Sequence, residues 1–305
     1  MALKNLPREE FLFPGAAACP GCVGCLSLRI ALKALGKETI LVIPASCTAS
    51  IEGYFPKTPF NVPVLTIAFE AGAAGASGVS AALKRLGKDE TNVVVWAGDG
   101  GTYDIGIQAL SGAVERGTHF IYICYNNEIY SNTGIQRSGA TPFGAWTTTT
   151  WTGKTEHRKD LPRILMAHEI PYLATASASY VEDLFRKVQR AKTIRGSKYI
   201  EIHIPCAPGW RFPMDKTIEI GRLAVETGAW ALFEYENGEL TFNGRSKRIL
   251  EGQVEPKPIE DYMKTQGRFR HLFEPRRDEE RLTEIKRHLE SDWARFRKQV
   301  QLQTA

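Results

Sequence analysis

Apolar positions along this chain fall into two kinds of stretch that alternate from about residue 26 to residue 300. One kind is a short unbroken run rich in Val, Ile, Tyr and Phe. The other spaces its apolar residues three and four apart among charges, the helical period. LSLRIALKALG (26–36) predicts a helix stopped by Gly36, ETILVIPASC (38–47) a buried strand ending in a loop, and VPVLTIAF (62–69) a second strand. AGAAGASGVSAALKRLG (71–87) predicts a helix of small residues able to pack closely on a sheet. NVVVWAGDGG (92–101) predicts a strand running into glycines, followed by the helical pattern IGIQALSGAVERG. HFIYICYNN (119–127), YLATA (172–176) and KYIEIHIPC (198–206) read as further strands, with helices at KDLPRILMAHE and SYVEDLFRKVQRAK. ALFEYENGELTFN reads as a hairpin turning at Glu236-Asn237-Gly238, and residues 280–300 as a charged amphipathic helix. Alternation at this spacing predicts an α/β fold, a mostly parallel, doubly wound sheet with helices on both faces.

Sheets of this kind bind ligands beyond the carboxyl ends of their strands. ASC at 45–47, GDGG at 98–101, NNEIYSN at 126–132 and IPC at 204–206 each follow a predicted strand directly. Residues 130–157 are polar, rich in Thr and Gly, and too long for a simple connection, which favours a functional loop over a surface excursion.

Composition narrows the setting. The chain has 305 residues, 43% hydrophobic and 24% charged, as expected of a soluble globular protein. A net charge of +5 is too small an excess to argue for nucleic acid. Glu9 and Glu10 interrupt the stretch where a signal peptide would need an apolar run, and no segment suits a membrane span, so no membrane association is expected. Six cysteines are too sparse for a secreted disulfide scaffold. The expected location is the reducing cytoplasm, where clustered thiols bind metal or do redox work. Three of the six lie within ACPGCVGC (18–25). A zinc site, an iron–sulfur cluster and buried core thiols are all compatible with that run alone. Cys124, in mid-strand, reads as a core thiol.

Gly98, Asp99, Gly100 and Gly101 sit at a strand end just ahead of a helix. Glycines admit a ligand close to the backbone, and a helix N-terminus offers N–H groups to an anion, so a diphosphate suits this place. A GDGG turn alone is compatible with a simple tight turn. Asn126-Asn127, with Asn127 lying 28 residues beyond Asp99 at the end of the next strand, changes that. Mg²⁺ takes oxygen ligands in an octahedron and commonly bridges one or two protein groups to a diphosphate. Asp99, the Asn127 side chain and the Ile129 carbonyl make such a half-cage.

GDG followed by NN at this interval resembles the thiamine diphosphate motif. The longer string GDGGTYDIGIQALSGAVERG…YICYNNEIYSNTGIQRSGATPFGAWTTTT closely resembles the β subunit of pyruvate:ferredoxin oxidoreductase and related 2-oxoacid:ferredoxin oxidoreductases. HRKD (157–160), GWRFPMDKTIEIGRLAVETG (209–228) and QGRFRHLF (266–273) extend the resemblance over roughly residues 14 to 273. It implies a single thiamine diphosphate-binding domain over 1–305, with a cluster-binding segment at about 14–47 and a C-terminal extension at about 207–305. Gly98, Asp99, Gly100, Gly101, Thr102, Asn127 and Ile129 would hold thiamine diphosphate and Mg²⁺. Cys19, Cys22, Cys47 and Cys206 would hold a [4Fe–4S] cluster, four thiolates being its usual set. Asn132 would stand beside the reacting carbon as the catalytic amide. The implied reaction is coenzyme A-dependent oxidative decarboxylation of a 2-oxoacid, with electrons passed to ferredoxin. The implied partners are an α subunit carrying the pyrimidine-binding domain, a γ subunit and a ferredoxin-like δ subunit, or fusions of these.

Three features depart from the family pattern. Cys25 stands where related subunits have no cysteine, and a role replacing one expected ligand stays open, as does a Zn(Cys)₄ site. FEAGAAGASG (69–78) and SCTAS (46–50) differ from the stretches usual in pyruvate enzymes, and Tyr103 replaces a small residue. These changes are expected in cofactor-proximal loops. Pyruvate is the first expected substrate, with another 2-oxoacid or oxalate as the alternative. A non-oxidative thiamine lyase and a non-catalytic electron-transfer subunit are the competing classes.

Overall fold

A computed structural model describes residues 6–54 and 56–304; the first five residues of the stretch weighed as a targeting signal lie outside them. The strands are β1 (Thr39–Pro44), β2 (Val64–Ile67), β3 (Asn92–Gly98), β4 (Phe120–Asn126), β5 (Tyr172–Ser177), β6 (Ser197–His203), β7 (Phe233–Glu236) and β8 (Glu239–Phe242). They form one sheet in the order β2-β1-β3-β4-β6-β5-β7-β8. Neighbours from β2 through β5 are parallel. β7 runs antiparallel to β5, and β8 to β7.

Both sheet faces are covered, which is why the central strands read as unbroken apolar runs. Successive side chains take opposite faces. Val94, Trp96, Ile121 and Ile123 pack with Leu28, Leu32, Leu184 and Val188 from the helices Val23–Leu35 and Val181–Thr193. Val93, Val95, Phe120, Tyr122 and Cys124 pack on the other face with Ala76 and Leu110, from the helices Gly72–Arg85 and Ile107–Glu115. Cys124 is fully buried there, the core thiol expected of it.

The chain leaves β1 for β2 on one side, then returns to place β3 on the other side of β1. Strand order therefore reverses between β1 and β3, and the crevice at such a reversal is where open α/β sheets bind ligands.

Two local differences from the sequence expectation bear on that crevice. Cys47 does not end a loop: it opens a short helix, Cys47–Glu52. GDGG is not a turn ahead of a helix either. Asp99 already has helical dihedrals, and a wide π-helical turn, Gly100–Ile105, follows directly. Gly106 closes that turn because a Cβ there would lie 2.1 Å from the Gly101 oxygen.

Beyond β6, the helices Thr217–Glu226, Gly244–Leu250 and Ile259–Met263 went unread in the sequence. The hairpin β7–β8 turns at Asn237 and Gly238, both at positive φ, as a two-residue turn requires. The terminal helix Glu279–Thr304 lays Trp293 and Phe296 against Phe233 and Phe242. The Trp293 indole donates to the Gly228 oxygen at 3.0 Å.

Candidate active site

A cavity of about 170 Å³ lies at the β1/β3 reversal, walled by Ser46 and Cys47 after β1, Gly98–Gly101 at the end of β3, and Asn127 and Ile129–Thr133 after β4. Asp99 is its one lining carboxylate among the described residues. The side chain is fully buried. Burial pushes its carboxyl up to about 8, although Ser138 Oγ donates to Oδ2 at 2.5 Å and the Asn127 backbone N–H donates to Oδ1 at 3.2 Å. Burial is the largest cause, and the two hydrogen bonds offset it only in part.

With its Oδ1 turned inward, the Asn127 amide faces Asp99 Oδ1 at 3.0 Å and the Ile129 carbonyl at 2.7 Å, while Nδ2 donates to Ser131 Oγ at 3.0 Å. Three oxygens then converge with no proton between them. With the amide turned over, Nδ2 donates to both oxygens and Oδ1 accepts from Ser131. Amide orientation follows from the partners rather than from the heavy-atom positions. A cation in the cage favours the first arrangement, and its absence the second. Octahedral Mg²⁺ at about 2.0–2.1 Å places adjacent ligand oxygens about 2.9 Å apart, so the cage suits that ion.

The cysteines gather beside this cavity. Cys47, on its wall, lies 3.0 Å from Ser131 Oγ. Burial raises the Cys22, Cys47 and Cys206 thiols, and neighbouring thiols raise them further: Cys19 and Cys22 act on Cys47, and Cys47, Cys22 and Cys19 on Cys206, which reaches about 12. Backbone N–H groups of Cys25 and Gly24 point at Cys22 Sγ, and that of Gly209 at Cys206 Sγ. Cys25 is acted on by Cys22 and Arg29, and it lines a separate cavity with Cys19 and Cys22. No three His, Cys, Asp or Glu side chains among the described residues stand close enough together to hold a metal ion. The four thiols thus share one neighbourhood without closing into a ligand set.

A family model described as thiamine pyrophosphate enzyme, C-terminal TPP binding domain, matches residues 47–202, the span from Cys47 through the cage. Pyruvate synthase subunit PorB of Methanothermobacter thermautotrophicus (strain Delta H) is 51% identical over 275 residues, 88% of this chain and 93% of that protein. Ketoisovalerate oxidoreductase subunit VorB of Pyrococcus abyssi is 48% identical over 304 residues, 96% of this chain and 94% of that protein. The chain belongs to the β subunits of the 2-oxoacid:ferredoxin oxidoreductases. The 2-oxoglutarate:ferredoxin oxidoreductase from Magnetococcus marinus shares the fold, with a TM-score of 0.58 over 72% of this chain and 82% of that one at 18% identity.

In this β subunit the glycines line the cavity with little room to spare. A Cβ at Gly100 would lie 2.4 Å from the Tyr130 ring, and one at Gly101 3.0 Å from Phe69. Asn132 is exposed at the mouth, its Oδ1 accepting from Ser50 Oγ at 3.3 Å. Thr102 stands behind the wall, fully buried, donating to the Gly98 oxygen at 2.7 Å. Tyr103 corrects an expectation. It does not line the cofactor cavity but points into the core, donating to Glu201 Oε1 at 2.5 Å, so its size bears on packing and not on substrate choice.

The oxidoreductase subunit also braces its cage with residues the sequence reading passed over. Glu128, between two cage ligands, holds φ at +63°, a conformation that costs a non-glycine residue energy. Burial is the largest influence and pushes its carboxyl up, but the Arg268 guanidinium at 2.6 Å, His203 and Arg158 together hold it below the usual range. Arg268 stacks 3.6 Å above Trp210, whose indole N–H donates to the Asn127 oxygen at 2.8 Å. Thr141 Oγ1 donates to the Glu128 oxygen at 2.6 Å, and Asn126 is fixed by Glu201. The only advance signal was that GWR and QGRFR lay within the family resemblance.

Proposed function

We propose that this β subunit holds Mg²⁺ through Asp99, Asn127 Oδ1 and the Ile129 carbonyl, and thiamine diphosphate against Gly98–Gly101, with Thr102 supporting them from behind. Cys19, Cys22, Cys47 and Cys206 hold a [4Fe–4S] cluster beside it, without Cys25. The activity is coenzyme A-dependent oxidative decarboxylation of pyruvate with electrons leaving to ferredoxin, in the cytoplasm. One observation carries the reading: the cage of three oxygens and the Cys47 thiol share one cavity wall. Non-oxidative thiamine chemistry has no use for thiols there.

When bound, thiamine diphosphate supplies a carbon nucleophile and an electron sink, and the cluster a one-electron acceptor. The chain's own residues bind and orient. Asp99 neutralises part of the cation's charge while Ser138 fixes the second carboxylate oxygen. The small residues at 98–101 let the diphosphate approach the backbone. Asn132, at the mouth, offers its Nδ2 to the carbonyl oxygen of the arriving 2-oxoacid, where negative charge develops.

Pyruvate is supported by the PorB relative. A branched 2-oxoacid is the second reading, favoured by the VorB relative, which aligns over more of the chain. The α subunit with its pyrimidine-binding domain, the γ subunit and the ferredoxin-like δ subunit are the proposed partners. The test is anaerobic co-purification with those partners, analysis for iron, sulfide and thiamine, and viologen reduction with pyruvate, 2-oxoisovalerate, 2-oxoglutarate and oxalate. Four irons in this subunit and pyruvate as best substrate are expected. Protein without iron, or decarboxylation without viologen reduction, would overturn the oxidoreductase reading.

A further inference from the structure

We infer that the chain carries a second small-molecule site, a pocket for a short-chain carboxylate anchored by Arg158 between the sheet and the terminal helix. A cavity of about 260 Å³ lies between Thr175, Glu201 and Phe233 on strands β5, β6 and β7, the helix Leu161–Met166 and the terminal helix. A smaller one, of about 100 Å³, shares Arg158, Ala229, His288, Leu289 and Asp292 with it. Arg158 therefore stands on the wall between the two. Neither cavity shares a lining residue with the one at the β1/β3 reversal, which makes this a separate site.

The carboxylates around Arg158 are already engaged. Asp292 accepts from Arg295 at 2.7 Å, and Asp160 lies 3.4 Å from Arg295 and 3.9 Å from Arg163. Glu201 accepts from Tyr103, Asn126 and Tyr199, all of them neutral donors. Glu128 lies 3.6 Å from Arg158 but gives its other oxygen to Arg268 at 2.6 Å. Arg158 makes no hydrogen bond among the described residues, and its guanidinium otherwise meets the face of Trp230, 5.5 Å from the ring centre. Its side chain is 33% exposed. Five N–H donors thus have one shared carboxylate between them. Three further donors of wall residues, Trp230 Nε1, Arg295 Nε and Arg268 Nη1, are buried without a partner among the described residues. Buried donors left unpaired are costly, so the walls are short of acceptor oxygens.

A carboxylate meets that shortage. Its two oxygens match the guanidinium fork, a geometry that a halide or an alcohol lacks. The rest of the larger cavity is apolar, lined by Met166, Ala231, Phe233, Leu289 and Phe296, which suits a hydrocarbon body rather than a second charge. The volume is below the about 300–1,000 Å³ of drug-sized sites, which limits that body to about three to five carbons. Short aliphatic acids, with or without a 2-oxo group, have this chemistry.

The test is calorimetric titration of the assembled complex, purified with its partner subunits, without added thiamine diphosphate or coenzyme A. Isobutyrate is the probe and isobutyramide its uncharged isostere. Saturable isobutyrate binding in the millimolar range or tighter is expected, about what so few atoms supply. Isobutyramide should bind about 10- to 100-fold more weakly, and Arg158→Met should weaken isobutyrate by the same factor, the range of a hydrogen bond to a charged group. Ala231→Leu, which fills the cavity and leaves Arg158 in place, should abolish binding. If 2-oxoisovalerate binds more tightly than isobutyrate and is sensitive to both substitutions, the site takes a 2-oxoacid; equal or weaker binding makes the occupant a simple acid. Absence of saturable binding, equal affinity for the amide, or wild-type affinity in either variant that assembles overturns the site. Should neither variant assemble, protection of Arg158 from phenylglyoxal by isobutyrate, read by peptide mass spectrometry of the wild type, decides, and an unprotected Arg158 overturns it.

Discussion

Asp99 is the one carboxylate that lines the cavity among the described residues, so the proposed cation has no substitute for it. Asp99→Ala should lose thiamine diphosphate and Mg²⁺ on gel filtration while keeping its iron; normal thiamine content would sink the cage. The cysteines divide in the same way. Cys47→Ser should lose or convert the cluster, and Cys25→Ser should keep it, because Cys47, Cys22 and Cys19 all act on the Cys206 thiol whereas Cys25 meets Cys22 alone of the thiols. Iron and sulfide assays with low-temperature EPR decide, and loss of iron in the Cys25 variant alone would reverse the assignment. The meeting of Asp99, Asn127 and Ile129 could be read from the sequence because two strand ends and a short interval fix it. Ser138, Trp210 and Arg268 could not. Ser138 lies 39 residues from Asp99, Trp210 83 from Asn127 and Arg268 140 from Glu128, and nothing local marks such partners.

Strands declared themselves because burial on both faces demands continuous β-branched runs. The π-helical turn at Gly100–Ile105 did not, since GGTYDI carries no helical period, and the short helices after Cys206 are too brief to show one. One strand contains an apparent contradiction, Lys198 in β6, which is 2% exposed. Burial, helped by Arg195, lowers its ammonium to about 7. Between there and its ordinary value the unfolded chain holds a proton that the folded chain has released, so this group's contribution makes stability rise with pH from about 7 to about 10. Lys198→Met should be the more stable protein at pH 7, by up to a few kcal/mol at about 1.4 kcal/mol per pKa unit, with the gap closing by pH 10. Urea midpoints of both proteins at pH 7 and pH 10 check this, and a constant gap would refute it. The brace is testable at the same scale. Arg268→Met frees Glu128 and should weaken Mg²⁺ binding about 10- to 100-fold, as loss of an outer partner does. Ca²⁺, which tolerates irregular geometry, should lose much less. Calorimetric titration of both ions separates misplaced ligands from general damage, which would weaken both equally.

As a whole, the molecule presents a binding surface for half a reaction. Thiamine enzymes activate the aminopyrimidine ring with a carboxylate, and the cavity's only lining carboxylate among the described residues is Asp99, the proposed cation ligand. Glu128, the nearest alternative in sequence, is tied to Arg268. Expressed alone, the chain should give no 2-oxoacid-dependent viologen reduction even with all cofactors added. Missing acid–base help of this kind costs factors of about 10² to 10⁴, which a rate assay resolves easily. Adding the subunit with the pyrimidine-binding domain should restore turnover, and robust oxidation by the single chain would contradict the assignment.

The ligands also differ in how much chain each centre must wait for. The cage and its nearest supports come from one β-α-β unit and the loop after it, ending at Thr141. The cysteines span residues 19 to 206, and the brace reaches 268. Closing a longer loop costs more chain entropy, if only logarithmically. A chain emerging from the ribosome therefore completes the cation pocket first, then the four thiols, then the ion pair that stiffens the pocket. Thiamine retention reports the folding of one supersecondary unit, whereas iron content reports that six strands have found their order.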